Sequence, residues 1–494
     1  MMKFELRLPV ATIRLFVLIG VIACSPPVNA GELFVGAATV SITPDGPVSL
    51  TGQRHTRIAK KVESPCTATA LAIETRDDDR SIDQVVFVSC DLVAIRGDGG
   101  LKNLVLAELG ETLEGFSGEK LILNATHTHT APTLIDGRYK LPETGVMLPK
   151  EYREFLVKRL AAIITEAWTK REPAQVAWGL GHAVIAQNRR AVYSDGTAQM
   201  YGATNSDKFR GLEGNEDHGV EILYFWNEKD ELIATSINVA CPSQEVGGRS
   251  AVNADFWHPV REALRKKYGE QLMVLAWTGA AGDQVSRLMY RKDAEERMRK
   301  LRGIDRLEEL ARRIVTTWED VYQVVKADRR DDVLLEHQVK DVLLPYRKVT
   351  AQEAEQAARE VEKMTDPKEV WNRRWHGQVV ERYETQRKEL PNYEMELHAV
   401  RLGDVVVVTN DFELFTDFGV QIKARSPALQ TFVIQLCGPG SYVPTTRAVA
   451  GGGYSAVAQS SVVGPDGAQV LVNETSVLID SLWRPKQKVT LAAP

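Results

Sequence analysis

Two imidazoles stand one residue apart in Thr126-His127-Thr128-His129-Thr130, and they are the side chains in this sequence best placed to do chemistry together. Alternate residues of an extended chain face the same side, so His127 and His129 can converge on one ion or one reacting atom. The motif follows an apolar run at 121–124, and four other polar clusters stand in the same relation to apolar runs. Cys241-Pro242-Ser243-Gln244 follows 237–240. Gly282-Asp283-Gln284-Val285-Ser286 lies just beyond 273–278. Asn410-Asp411-Phe412-Glu413 follows 405–409, and Gly440-Ser441-Tyr442 follows 433–437. His, Cys, Glu and Tyr are metal ligands, while Asp, Ser and His are the usual acid–base groups and nucleophiles. Loops at the ends of a rigid sheet are where such groups belong, because the sheet fixes position and the loop supplies the reactive atom.

The elements that would hold these loops are readable as alternating types. Strand-like runs rich in Val and Ile occur at 33–42, 67–73, 85–88, 121–124, 176–180, 221–225, 233–240, 272–277, 405–409 and 432–436. Between them, 151–168 places Phe155, Leu156, Leu160, Ile163 and Ile164 at helical spacing. The segments 256–267, 294–321 and 350–387 also read as helices. The last is charge-laden and reads as a solvated surface hairpin without a functional part. No Pro/Gly/Ser-rich linker interrupts the chain, so residues 31–494 are expected to form one large α/β (α+β) domain.

Composition bounds the class. Of 494 residues, 44% are hydrophobic and 26% charged, as in an ordinary globular enzyme. The net charge of -5 carries no basic surplus of the kind nucleic-acid binding needs. Lys3, Arg7 and Arg14 precede a short apolar run at 15–23, which predicts a leader over residues 1–30 and an exported, periplasmic or extracellular protein. Val28-Asn29-Ala30 suits ordinary cleavage, and Val21-Ile22-Ala23-Cys24 resembles a lipobox that would anchor the chain through Cys24. Cys66, Cys90, Cys241 and Cys437 are too sparse for a disulfide scaffold.

Taken together, the motifs resemble the neutral, or alkaline non-lysosomal, ceramidases. Thr126-His127-Thr128-His129 with Pro132 is similar to that family's Thr-His-Thr-His motif. Gly282-Asp283 with Ser286 resembles its serine loop, and Asn188-Arg189 its Asn-Arg pair. Asp411-Phe412-Glu413-Leu414, Tyr442-Val443-Pro444-Thr445 and Tyr454 match its glutamate and tyrosine segments in the family's order. The resemblance implies paired, mainly antiparallel sheets surrounded by helices. It implies a zinc ion held by His127, Cys241, Glu413 and Tyr442. Around the zinc it implies a catalytic set of His129, Arg189, Tyr454, Ser286 and Asp283.

Four departures accompany it. Cys241 stands where the family has a second ligating histidine, and the serine loop carries one extra residue and no proline. Gly451-Gly452-Gly453 precedes Tyr454, and the family's C-terminal immunoglobulin-like domain is not expected. Three readings of function follow: an amidase of N-acyl-sphingosine-like lipids; a hydrolase of another amide, ester or carbohydrate-linked group; or a binding protein that has lost its metal. The expected partner is a small-molecule or lipid substrate, with peripheral membrane contact left open and no protein partner implied.

Overall fold

Strands such as Val405–Thr409 and Met273–Thr278, apolar along nearly their whole length, must be covered on both faces. The computed structural model describes residues 30–97, 99–110 and 113–484, and it meets this demand with two stacked sheets. Residues 1–29, with the leader and Cys24, lie outside the described residues.

The larger sheet orders its main strands as Met273–Thr278, Leu232–Val239, Gly219–Asn227, Glu172–His182, Gly31–Ser41, Thr67–Asp77, Arg80–Cys90 and Leu121–Ala125. The smaller runs Leu335–Pro345, Asn392–Leu402, Val405–Thr409, Gln430–Ile434. Strand alternation divides the packing cleanly. Ile122, Phe87, Leu71 and Leu33, with Trp277 of the same sheet, face the smaller sheet and its Val405 and Phe432. Leu121, Leu123, Val86 and Val88 point the other way, onto Leu156, Leu160 and Ile164 of the helix Pro149–Thr169. The far half of that face is covered by Trp257–Tyr268 and Arg306–Val325 through Val260, Leu264, Ile314 and Trp318. Thr416–Arg425 and Pro465–Trp483 cover the outer face of the smaller sheet. The order is helix, sheet, sheet, helix.

Two differences from the sequence reading have local causes. The segment 294–321 is two helices, Lys292–Arg302 and Arg306–Val325, because Gly303 turns left-handed (φ 67°) and Asp305 starts the second by accepting the Glu308 amide at 2.9 Å. The 350–387 segment is a hairpin of Ala351–Lys363 and Val370–Gln386, as expected. The strands Leu335–Pro345 and Asn392–Leu402 carry Lys340, Asp341, Glu394 and Glu396, which interrupt the apolar pattern that marks the others.

Most pairings are antiparallel, but each sheet contains parallel neighbours where the polar clusters emerge. Arg80–Cys90 runs parallel to Leu121–Ala125, Leu232–Val239 to Met273–Thr278, and Val405–Thr409 to Gln430–Ile434. Their carboxyl ends are stitched together by backbone hydrogen bonds. Ala125 donates to Leu436 (3.2 Å), Gln435 to Thr278 (2.9 Å), Ser243 to Thr126 (3.1 Å) and Gly282 to Leu414 (2.8 Å). The loops that sequence analysis singled out therefore meet at one end of the sandwich.

Candidate active site

The His-Thr-His segment begins after its strand has ended. His127 is left-handed (φ 66°), so the two imidazoles are brought together by a turn rather than by strand alternation. The threonines anchor that turn. Thr126 donates to Asp91 at 3.2 Å, and both Thr128 (2.9 Å) and Thr130 (2.6 Å) donate to the Asn253 carbonyl. Asp91 is itself fixed by a buried pair with Arg261 at 2.7 Å. The His127 ring meets the Val93 carbonyl through Nδ1 at 2.5 Å, which leaves Nε2 facing inward. There Nε2 lies 3.3 Å from Nε2 of His129 and 3.3 Å from a carboxylate oxygen of Glu413. Gly52 presses against the His129 ring: a Cβ at this left-handed position (φ 92°) would lie 2.4 Å from the ring.

Glu413 and Tyr442 are neighbours because Glu413–Leu414 and Tyr442–Val443 form a short parallel bridge pairing those two residues. The Tyr442 hydroxyl hydrogen-bonds the carboxylate. Arg189, 1% exposed, fills the space behind. Its guanidinium donates to the Tyr442 hydroxyl (3.2 Å), the Tyr201 hydroxyl (3.1 Å), the Gln244 side chain (3.3 Å) and the Gly282 carbonyl (2.8 Å), and stands 4.0 Å from Glu413. Burial alone would raise the Glu413 carboxyl, but His127, Arg189 and Tyr442 outweigh it and hold the group at about 2. Burial lowers His129, with repulsion from His127 adding to the effect. Tyr442 and Tyr454 are raised by burial and by the Glu413 charge. At neutral pH the floor of the site is an ionised carboxylate, a neutral imidazole and two protonated phenols.

These groups line one cavity of about 590 Å³, and Tyr454 closes its far side, its ring 5.8 Å from that of Tyr442. Six of the expected residues, His127, His129, Arg189, Glu413, Tyr442 and Tyr454, are thus brought together. The other three do not line it. Cys241 is buried among Val239, Phe256 and Trp257, its thiol directed to the Pro242 carbonyl (3.6 Å), and Gln244 of the same loop reaches the cavity instead. Asp283 is a clasp: its carboxylate accepts from Asn188 (2.8 Å) and Thr416 (2.8 and 2.9 Å), and its carbonyl from the Arg189 amide (2.9 Å). Ser286 is fully buried and its hydroxyl has no partner among the described residues.

The architecture matches solved structures. A neutral ceramidase from Pseudomonas aeruginosa superposes with a TM-score of 0.65 over 94% of this chain and 77% of that one, at 16% identity. This is the neutral ceramidase fold. A ceramidase complexed with C2 superposes at 0.64, with 15% identity and the same coverage. No protein-family model and no curated protein sequence matches the chain. At such identities the ceramidase likeness speaks for the fold, and the chemistry must come from this chain's own residues.

Sequence reasoning missed most of the cavity wall. Arg54, Arg96, Arg138 and Arg287 line it, as does Tyr201. Trp371 and Trp375, from the hairpin read as merely solvated, line an adjoining space of about 500 Å³ that shares Arg96, Arg138 and Tyr454 with the first. Only the aromatic pair at i, i+4 on a charged helix could have flagged that face.

Proposed function

We propose that this chain is an exported hydrolase of acyl bonds, acting on an amide of the N-acyl-sphingosine kind or on another amide, ester or carbohydrate-linked acyl group. The observation that carries the reading is the convergence of His127, Glu413, Tyr442 and Arg189 on one cavity at the strand ends of a ceramidase fold.

The donor set fits a metal in a particular way. Among the described residues no group of three or more His, Cys, Asp or Glu side chains is arranged to hold a metal ion. The fit therefore needs the Tyr442 phenol as third donor beside His127 and Glu413. The 3.3 Å between His127 Nε2 and Glu413 supports it, since donors in a tetrahedral zinc shell stand about 3.3 Å apart when bonds are about 2.0–2.1 Å. Zinc held by His127, Glu413 and Tyr442 would supply Lewis acidity toward the carbonyl and toward water. Cys241 would stay outside such a shell.

The chain's own residues do the rest. Arg189 orients Tyr442 and the substrate carbonyl. Tyr454, and His129 in the tautomer that carries its proton on Nε2, offer donors to the oxygen that becomes negative when water adds. The hydroxyl of water bonds to the carbonyl carbon, the C–N or C–O bond breaks, and the remaining proton passes to the departing nitrogen or oxygen. The products are an acid and an amine or alcohol.

The test is a screen of purified protein against N-acyl sphingosines, simple amides and acyl esters, with chelator and with zinc restored. Turnover that chelator removes and zinc returns is the expected result. No turnover on any acyl compound would leave the binding-protein reading in place.

A further inference from the structure

The cavity carries far more positive charge than its chemistry uses. Among the described residues Glu413 is its one acidic lining residue, and that carboxylate is already shared by His127, Arg189 and Tyr442. Four more guanidiniums, those of Arg54, Arg96, Arg138 and Arg287, stand around it. Each is held by a neutral group. Arg54 lies over the rings of Trp375 (4.5 Å), Tyr454 (4.6 Å) and Trp371 (5.1 Å). Arg96 donates to the Pro439 carbonyl, Arg138 to the Tyr139 hydroxyl (3.3 Å), and Arg287 lies 5.9 Å from the Tyr201 ring. None of the four has a carboxylate within ion-pair distance among the described residues.

An aromatic face or a carbonyl fixes a guanidinium without cancelling its charge. Arginines so positioned repel one another: burial lowers Arg96 to about 10, and Arg138 is its next adverse neighbour. A cleft lined by one sign of charge concentrates oppositely charged groups, so an entering anion relieves this repulsion. Among the described residues the aliphatic lining of this cavity is Val93 and Met200, with Ile95, Ile135 and Val462 only in the adjoining space, a poor match at the reacting groups to the acyl and sphingoid chains of an N-acyl sphingosine.

We propose that the substrate is an acidic acyl compound whose carboxylate, sulfate or phosphate is received by Arg54, Arg96, Arg138 and Arg287, while the acyl carbonyl sits over His127 and Glu413. This rests on the hydrolase reading for the acyl part, whereas the anion part stands by itself. Bidentate pairing of a carboxylate, sulfate or phosphate with guanidinium gives orientation as well as attraction, so the rim would align the substrate before the bond is cut.

Two measurements separate the claims. The first compares kcat/KM for matched pairs: N-acyl sphingosine against its phosphate ester, and a neutral N-acyl amino sugar against its uronic acid. The acidic member of at least one pair should be favoured tenfold or more at low salt, the preference shrinking as salt rises. The pair that shows it identifies the lipid or the carbohydrate as source. The second needs no turnover: calorimetric titration of the whole protein with inorganic sulfate and with glucuronate. Binding should weaken tenfold or more in the double variant Arg54→Gln/Arg138→Gln and be unchanged in Arg312→Gln, which lies elsewhere. Anion binding without any hydrolysis would sustain this inference and sink the hydrolase reading. Hydrolysis that favours the neutral member of both pairs would overturn the inference, as would anion binding the double variant leaves intact.

Discussion

The protein contains two arginine clusters built on opposite principles. On the helix Arg306–Val325, the buried carboxylate of Glu309 takes Arg312 at 2.9 Å, Arg313 at 2.9 Å and Arg302 at 3.4 Å. Arg313 also reaches Glu295 at 2.6 Å. Every guanidinium there has an acid. Around Glu413, Arg54, Arg96, Arg138 and Arg287 pair with no carboxylate among the described residues and are positioned by rings, a carbonyl and a hydroxyl instead. The first arrangement is what stability alone selects, since a buried carboxylate must be paired. The second makes sense only if its missing negative charge arrives from outside. Balance marks a structural network, and imbalance marks a binding site.

The sharpest way to test that contrast is to disable the reactive floor. His127→Ala should reduce turnover by about a thousandfold, the scale of losing one main transition-state contact. Its urea unfolding midpoint and circular dichroism should remain near those of the parent. Unchanged turnover would show that the floor around Glu413 is as structural as the Glu309 cluster.

The next effect belongs to the balanced cluster. Glu309→Ala takes the carboxylate from Arg302 and Arg312 and leaves Arg313 on Glu295 alone, and should cost about 2 kcal/mol of unfolding free energy in urea, whereas Arg54→Gln should cost under about 0.5 kcal/mol. Equal losses would erase the distinction. The pH dependence follows the same line. Glu309 is held at about 2, against an ordinary 4.5, chiefly by its bond from Arg312 and in spite of burial. A depressed carboxyl stabilises the fold fully above its unfolded pKa and progressively less as pH falls through its folded one. The parent should therefore lose stability between about pH 4.5 and pH 2 with a slope that Glu309→Gln flattens, as read from acid titration of the unfolding midpoint.

A smaller effect probes how tightly the floor is framed. Gly52→Ala forces a Cβ against the His129 ring at a left-handed position. Turnover should fall about tenfold with a stability loss of about 1 kcal/mol. The smallest concerns Cys241. Because its thiol packs among Val239, Phe256 and Trp257, Cys241→Ala should keep zinc content and turnover within about twofold and lower stability by about 1 kcal/mol. Zinc content falling to trace would return the thiol to the ligand set that the family resemblance implies.

Part of the floor was legible because His127, Glu413 and Tyr442 stand within a few residues beyond an apolar run that reads as a buried strand, whereas Arg189 and Tyr454 follow none and came only from the family resemblance. Glu413 after Val405–Thr409 and Tyr442 after Gln430–Ile434 are the clearest cases. What the sequence did not carry is reach. Cys241 occupies a ligating histidine's position, but a thiol is shorter than an imidazole, and Gln244 fills the wall instead. Ser286 matches a motif by type, yet the extra residue in its loop accompanies a hydroxyl buried away from the cavity. The rim was invisible for a different reason. An arginine in sequence is ordinarily a solvated side chain, and nothing local announces that Arg54 will meet Trp371 and Trp375, more than three hundred positions later.

Those tryptophans come from the hairpin Ala351–Lys363 and Val370–Gln386, whose small core of Val349, Ala354, Ala357, Val379 and Ala458 is separate from the clusters beneath both sheets. That separation makes the hairpin an exchangeable module. Its apolar contacts can be conserved while its outward-facing positions diverge, and the reacting groups, rooted in the strand ends, would not register the change. Relatives sharing this fold could therefore differ in what they accept by replacing a single insert, and transplanting the segment between two of them would move selectivity without moving the chemistry.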